Sequence, residues 1–275
     1  MLSINNEKRA LFVHIHKNGG TFVKNVLETH YGFNNIDIIY PIKTIMENGK
    51  SVQIYDTKIL PIEMRKQGIY RGYRTICNKH GCSVCGKEMK ITDEKWNKLY
   101  KFTFVRNPYD RIVSSWEFLK QYNINKLCMV VEKQRQHQPM QLQRTQNDVL
   151  FQEAIKFLNY TFYDFLMDRD TLPNYEYLHA FVPQSRSIID DDGQICFDFI
   201  GKMENLNESL INALTNLGVK EIKHKNEVMN STPNKKNYKG YYDEKTLLLV
   251  NEIFANDFGM LGYPCYYNLH DFWES

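Results

Sequence analysis

The chain has 275 residues, 35 of them basic and 32 acidic, for a formal charge of +3; 43% are hydrophobic and 24% charged. These values exclude a disordered chain and leave no bulk positive charge for nucleic acid, although local anion pockets remain open. The length suits one large α/β domain or two small ones. Six cysteines are too few for a disulfide scaffold. No apolar run is long enough to cross a bilayer, and the polar stretch Met1 to Arg9 does not read as a signal peptide. The expectation is a soluble protein of a reducing, by default cytoplasmic, compartment, with no membrane span and no nucleic-acid partner.

Leu11 to Ile15, "LFVHI", reads as a buried strand. "HKNGG" follows as a turn. From Thr21, a candidate N-cap, Phe22, Val23, Val26 and Leu27 fall on one helical stripe. Tyr100 to Val105, "YKFTFV", is a second strand, and Asn107-Pro108 opens a helix with apolar Ile112, Val113, Trp116 and Leu119. The Gln-rich residues 133 to 147 read as a mobile surface insertion. Asp148 to Leu158 and Phe162 to Met167 look helical, and Ser187 to Lys202 reads as a hairpin around an Asp-Gly turn. Glu204 to Leu217 is an amphipathic helix ended by Gly218, and Tyr242 to Phe258 is the last long helix. No repeat and no linker divides the chain. A single α/β domain over residues 1–275 is expected, with insertions near 41–98 and 123–147.

The first strand, turn and helix form a candidate anion cradle. Gly19 and Gly20 allow close backbone approach, the helix start supplies N–H groups, and Lys17 can reach a phosphate oxygen. The order is not that of a Walker A loop, because Lys17 precedes both glycines. A tight turn with a solvated lysine is the plain alternative. In "FTFVRNPYDRIVSSW", Arg106 ends the second strand and Ser114 lies about two turns into the next helix, with Arg111 one turn before Ser114. A strand-end arginine and a helical hydroxyl suit a second phosphate. Both motifs follow strand carboxyl ends, where open α/β sheets bind ligands. An Arg106–Asp110 ion pair and a surface hydroxyl are the alternatives.

Cys77, His80, Cys82 and Cys85 crowd into one short stretch with a Cys-x-x-Cys pair. Cys77 and His80 could complete a four-ligand zinc site with that pair, but zinc usually joins two separated ligand pairs, so free or paired thiols, and no metal, are the stronger expectation. The N-x-S/T sequons at Asn159, Asn207 and Asn230 matter only in a secreted chain.

Taken together, "FVHIHKNGGT" and "FVRNPYDRIVSSW" resemble the 5′-phosphosulfate and 3′-phosphate segments of sulfotransferases that use 3′-phosphoadenosine 5′-phosphosulfate (PAPS). The nearest likeness is to the carbohydrate group of heparan/uronyl 2-O- and chondroitin-type enzymes. "HAFVPQSRSI", "DFIGKMENL" and "YYDEKTLLLVNEIFANDFGMLGY" resemble the group in the same order. His16 and Asn18 stand where the common pattern has Pro and Thr, and Asn18 retains the ability to donate to a phosphate. The resemblance implies a P-loop-NTPase-like three-layer α/β sandwich with a central, mostly parallel sheet flanked by helices. It implies PAPS as co-substrate, PAP as product and a carbohydrate or other hydroxyl acceptor. Lys17 would act at the bridging oxygen; Asn18, Gly19, Gly20, Thr21 and Phe22 would hold the 5′-phosphate; Arg106 and Ser114 would hold the 3′-phosphate. His80 resembles the general base, with His14 and His179 as rivals, and Glu204 is either structural or acceptor-facing. Arg135 and Arg144 can hold an anionic glycan or belong to a solvated loop. A kinase-like phosphotransferase and a non-catalytic binding relic are the competing functional classes.

Overall fold

The computed structural model describes residues 2–36, 41–47, 50–55, 82–84, 87–89, 97–135, 152, 154–169, 180–189, 193–223 and 237–275. The chain falls into two units, each gathered from separated stretches. The first comprises Met1–Asn107, Val182–Lys235 and Asn256–Tyr263; the second comprises Pro108–Phe181, Lys236–Ala255 and Pro264–Ser275.

A five-stranded sheet organises the first unit. Strand β1 (Leu2–Asn5) turns back antiparallel onto β2 (Ala10–Val13), and β3 (Asn34–Ile36) flanks β1. Among the described residues, strands β4 (Pro41–Glu47) and β5 (Lys50–Tyr55) pair only with each other, as do β6 (Cys82–Val84) and β7 (Lys87–Met89). Strand β8 (Tyr100–Val105) runs parallel to β2 with Phe12 opposite Phe102, and β9 (Phe199–Lys202) runs parallel to β8 with Gly201 opposite Phe104. The sheet order is β3-β1-β2-β8-β9, and only β1 is reversed.

One face of the sheet presents Ala10, Phe12, Phe102 and Phe104. Helix α1 (Gly20–His30) packs Val23, Val26 and Leu27 onto it. Leu206, Leu210, Ala213 and Leu214 of a later helix, Leu206–Asn216, join the same core. The opposite face, with Leu11, Val13, Thr103 and Val105, is buried as well. Two buried faces explain why these strands read as continuous apolar runs rather than as alternation. Each large aromatic here contributes about 2–3 kcal/mol of burial. Gly201 lets the later helix approach closely: a Cβ there would lie 2.6 Å from the Phe104 ring and 2.9 Å from Ser209.

In the second unit, α2 (Pro108–Arg135) is the long element. It buries Ile112, Val113, Trp116 and Leu119. The Trp116 ring lies 5.0 Å from both Phe157 and Phe165, the latter on α3 (Phe162–Met167). Helix α3 starts with a Thr161–Asp164 capping box. The Leu206–Asn216 helix of the first unit is α4 in chain order. Helix α5 (Glu244–Ile253) carries a second box, Asp243–Thr246. Helix α6 (Ala255–Leu261) follows, and α7 (Leu269–Glu274) brings Phe272 within 5.1 Å of both Tyr109 and Tyr242.

The α/β class and the mostly parallel sheet with flanking helices are as the sequence predicts. Several boundaries are not. Residues 133–135 belong to α2 rather than to the insertion. Among the described residues the expected hairpin shows one antiparallel bridge, Ile189 to Ile195, with Gly193 at φ 78 between them. Its second arm leaves to join the sheet in parallel, because pairing with β8 satisfies its backbone and half-buries its apolar residues. The last long helix breaks at Phe254, where the chain passes from the second unit to the first.

Candidate active site

Strand β2 delivers the loop of residues 14–19 at its carboxyl end, and α1 begins directly behind it at Gly20. Two residues turn the chain. Lys17 sits at φ 66 and Gly19, the N-cap, at φ 71. A left-handed conformation is free for glycine but costs a lysine about 1 kcal/mol, so the backbone of Lys17 is strained. Gly20 is demanded by contact rather than by conformation: a Cβ would overlap the His14 ring. At Gly19 a Cβ would lie 2.5 Å from Met203 Sδ and 2.9 Å from Leu206 Cδ2. Met203, just past the end of β9, therefore closes over the loop.

Thr21 is not the N-cap. It stands one residue inside the helix, exposed, because Gly19 already makes the turn. No side chain caps the helix start, and its first turn holds no acidic residue. The first-turn N–H groups and the positive end of the helix dipole are thus left for an anion, beside the Thr21 hydroxyl. Phe22 packs its ring on the core and offers its backbone only.

Asn18 departs from expectation. Its side chain is 1% exposed and donates to Phe104 O and to Gln184 Oε1, both at 2.8 Å. Both amide hydrogens are committed within the protein, so what Asn18 offers a phosphate is its backbone N–H. Gln184 continues the network. Its Oε1 accepts from Arg106 N at 2.9 Å, and its Nε2 donates to Arg106 O at 2.8 Å. Asp257, fully buried on α6, accepts from Gln184 N and Ser185 N, both at 2.8 Å.

Arg106 follows β8 and is 5% exposed. Its Nη1 donates to Lys17 O at 3.0 Å, tying the two cationic residues together. Burial, reinforced by the Arg106 charge, pushes the Lys17 amine down to about 8 from 10.5. Lys17 is therefore mostly protonated at neutral pH yet able to give up its proton. Burial, and then the surrounding positive charge, holds His14 well below the usual imidazole range. His14 stacks at 5.8 Å on His16 and presses on Gly20. Its ring is occupied by packing, which counts against a role as base.

Glu204 has a structural occupation. Its Oε1 accepts from Asn107 N at 2.6 Å and its Oε2 from the Tyr263 hydroxyl at 2.9 Å. Burial and the neighbouring carboxylate raise the Tyr263 hydroxyl far above its ordinary range. Ser114 lies partly buried on α2 of the second unit. Arg111, on the same helix, is 1% exposed, with its guanidinium carbon 5.9 Å from the centre of the Phe254 ring.

His80, His179, Cys77, Cys85 and Arg144 lie outside the described residues, and of Cys82 and Arg135 only the backbone, in β6 and α2, is described. Among the described residues no cluster of three or more His, Cys, Asp or Glu is arranged to hold a metal. Among the described residues Cys128, Cys196 and Cys265 form no disulfide, and Cys196 Sγ donates to Ile188 O at 3.1 Å. No described helix is long and apolar enough to cross a membrane. The sequence does not mark Gln184 and Asp257 as site residues. Their only signal is membership of "HAFVPQSRSI" and "NDFGMLGY", since nothing local distinguishes a buried amide from a surface one.

The site thus joins an uncapped helix start, a lysine whose amine is easily deprotonated and a strand-end arginine at the carboxyl ends of β2 and β8, an arrangement suited to a doubly anionic ligand. No curated protein and no solved structure matches the chain. The model of the sulfotransferase family matches residues 1–264. A match over nearly the whole length, reaching from β1 past α6 and containing every residue of the loop network, places the chain in the sulfotransferase family.

Proposed function

We propose that this protein transfers the sulfuryl group of PAPS to a hydroxyl of a carbohydrate acceptor. The observation that carries the reading is the Arg106–Lys17 link at the carboxyl ends of two adjacent parallel strands. It supports two anion sites at a short fixed separation, as a nucleotide phosphorylated at both 3′ and 5′ positions requires. The backbone N–H groups of Gly19 to Phe22 and the Thr21 hydroxyl receive the 5′-phosphate. Arg106 receives the 3′-phosphate, the group to which the motif resemblance also assigns Ser114.

Sulfuryl transfer proceeds in line: the acceptor oxygen bonds to sulfur while the bond from sulfur to the bridging phosphate oxygen breaks. Lys17 neutralises the charge that develops on that bridging oxygen and can donate its proton there, because its amine is held near 8. His80 is assigned the acceptor's proton. Removing one such preorganised donor costs about 100- to 1000-fold in kcat.

Thermal melting with PAP, and with ADP as control, tests the reading. A ligand bound only by the folded state raises the midpoint by mass action. The expected result is a clear shift with PAP, a much weaker one with ADP, and loss of the PAP shift in Arg106→Ala. Equal shifts with both nucleotides would move the reading to a kinase-like transferase. A shift with neither would point to a binding relic.

A further inference from the structure

Strand β2 ends its pairing with β8 at Val13 opposite Thr103. Beyond that point the β8 edge would be open. Two side-chain amides close it instead: Asn18 donates to Phe104 O, and Gln184 exchanges a pair of hydrogen bonds with the N–H and C=O of Arg106. The Gln184 amide thus stands in for the peptide group of a neighbouring strand. Every hydrogen-bonding position it has is used, the last by Nε2 to Asp257 Oδ2 at 3.3 Å. Asp257 also grips its backbone, and the side chain is 0% exposed. An amide held from both ends in a fully buried site has one geometry.

We propose that Gln184 is the positioning residue of this site. By bonding Asn18 of the loop on one side and Arg106 on the other, it sets the separation between the helix-start anion site and the strand-end arginine. The ligand class it selects is one whose two anionic groups span that separation. The inference rests on the assignment of these two places to the 5′- and 3′-phosphates. It gives Asn18, where the common pattern has threonine, a reason: an amide reaches both Phe104 O and Gln184.

Gln184→Met keeps the length and bulk of the side chain and removes all of its polar links. Calorimetric titration with PAP and with adenosine 5′-monophosphate separates spacing from general damage. PAP uses both anion sites and the monophosphate only one. Misplacement of the sites by about 1 Å is expected to weaken PAP about 10- to 100-fold and the monophosphate by less than about 3-fold. Equal weakening of both nucleotides, or no change in either while the variant melts cooperatively, overturns the proposal. If Gln184→Met does not fold, Asn18→Ala must give the same PAP-selective loss, and uniform weakening there overturns it.

A wild-type protein that fails to prefer PAP over the monophosphate defeats the 3′-phosphate assignment instead. The positioning role is then decided without nucleotide, by the pH profile of Lys17 acylation read by mass spectrometry. Release of the loop from Arg106 moves the Lys17 midpoint upward in Gln184→Met; an unmoved midpoint overturns the proposal.

Discussion

Lys17 should make the protein less stable, and its replacement should show this with a definite pH signature. The amine titrates near 8 in the folded chain against 10.5 when solvated. Below pH 8 both states carry the proton, and the folded state bears the whole penalty of a charge held in a desolvated loop beside Arg106. Between 8 and 10.5 the folded state has released the proton and the unfolded chain has not, so stability rises with pH through this window. Above it the penalty is gone. At about 1.4 kcal/mol per pH unit the displacement is worth about 3 kcal/mol. Residual solvent access to the side chain reduces the expected value to about 2 kcal/mol. Lys17→Met keeps the buried stem and deletes the charge. Urea unfolding of both proteins at pH 7 and at pH 10.5 measures the difference, with the other titrating groups cancelling. The variant should be more stable by about 2 kcal/mol at pH 7, converge on the wild type at pH 10.5, and have lost turnover. A variant no more stable than wild type at pH 7, or an advantage that persists at pH 10.5, would refute the argument that burial and Arg106 act on this amine.

Gly20→Ala should destabilise the fold by about 3 kcal/mol, since the new methyl enters the space of the half-buried His14 ring; Gly20→Ala combined with His14→Ala should recover part of the loss in the same unfolding assay. Lys17→Gly should exceed Lys17→Ala in stability by about 1 kcal/mol, because φ 66 strains alanine and not glycine. Tyr263→Phe removes the hydroxyl bond to Glu204 and should cost about 2 kcal/mol of stability as measured by denaturant midpoint. Trp116→Ala, emptying the centre of the Phe157–Phe165 cluster, should cost about 4 kcal/mol.

The strand-turn-helix at the start of the chain and the strand Tyr100–Val105 with the helix that follows it are legible in the sequence because each is encoded locally. A continuous apolar run marks a strand buried on both faces, and Pro108 marks a helix start. Lys17, Gly19, Gly20 and Arg106 are legible for the same reason: their types and spacing carry the chemistry of an anion site. The break at Phe254 was not legible, since no glycine or proline marks it and it falls where the chain changes unit. Nor was the N-cap, because both Gly19 and Thr21 satisfy the local rule and only the backbone angle of Gly19 selects between them.

Local order alone therefore determined that the chain would build a parallel α/β sheet and carry cations at its strand ends. The tertiary structure decided how those cations are held. Gln184 reaches across 78 residues of sequence to Arg106, and Asp257 lies 73 residues beyond Gln184. Glu204 turned to Asn107 and Tyr263 rather than to an acceptor. Each of these choices depends on which polar groups are buried together, and burial is a property of the packed chain that no neighbouring residue records.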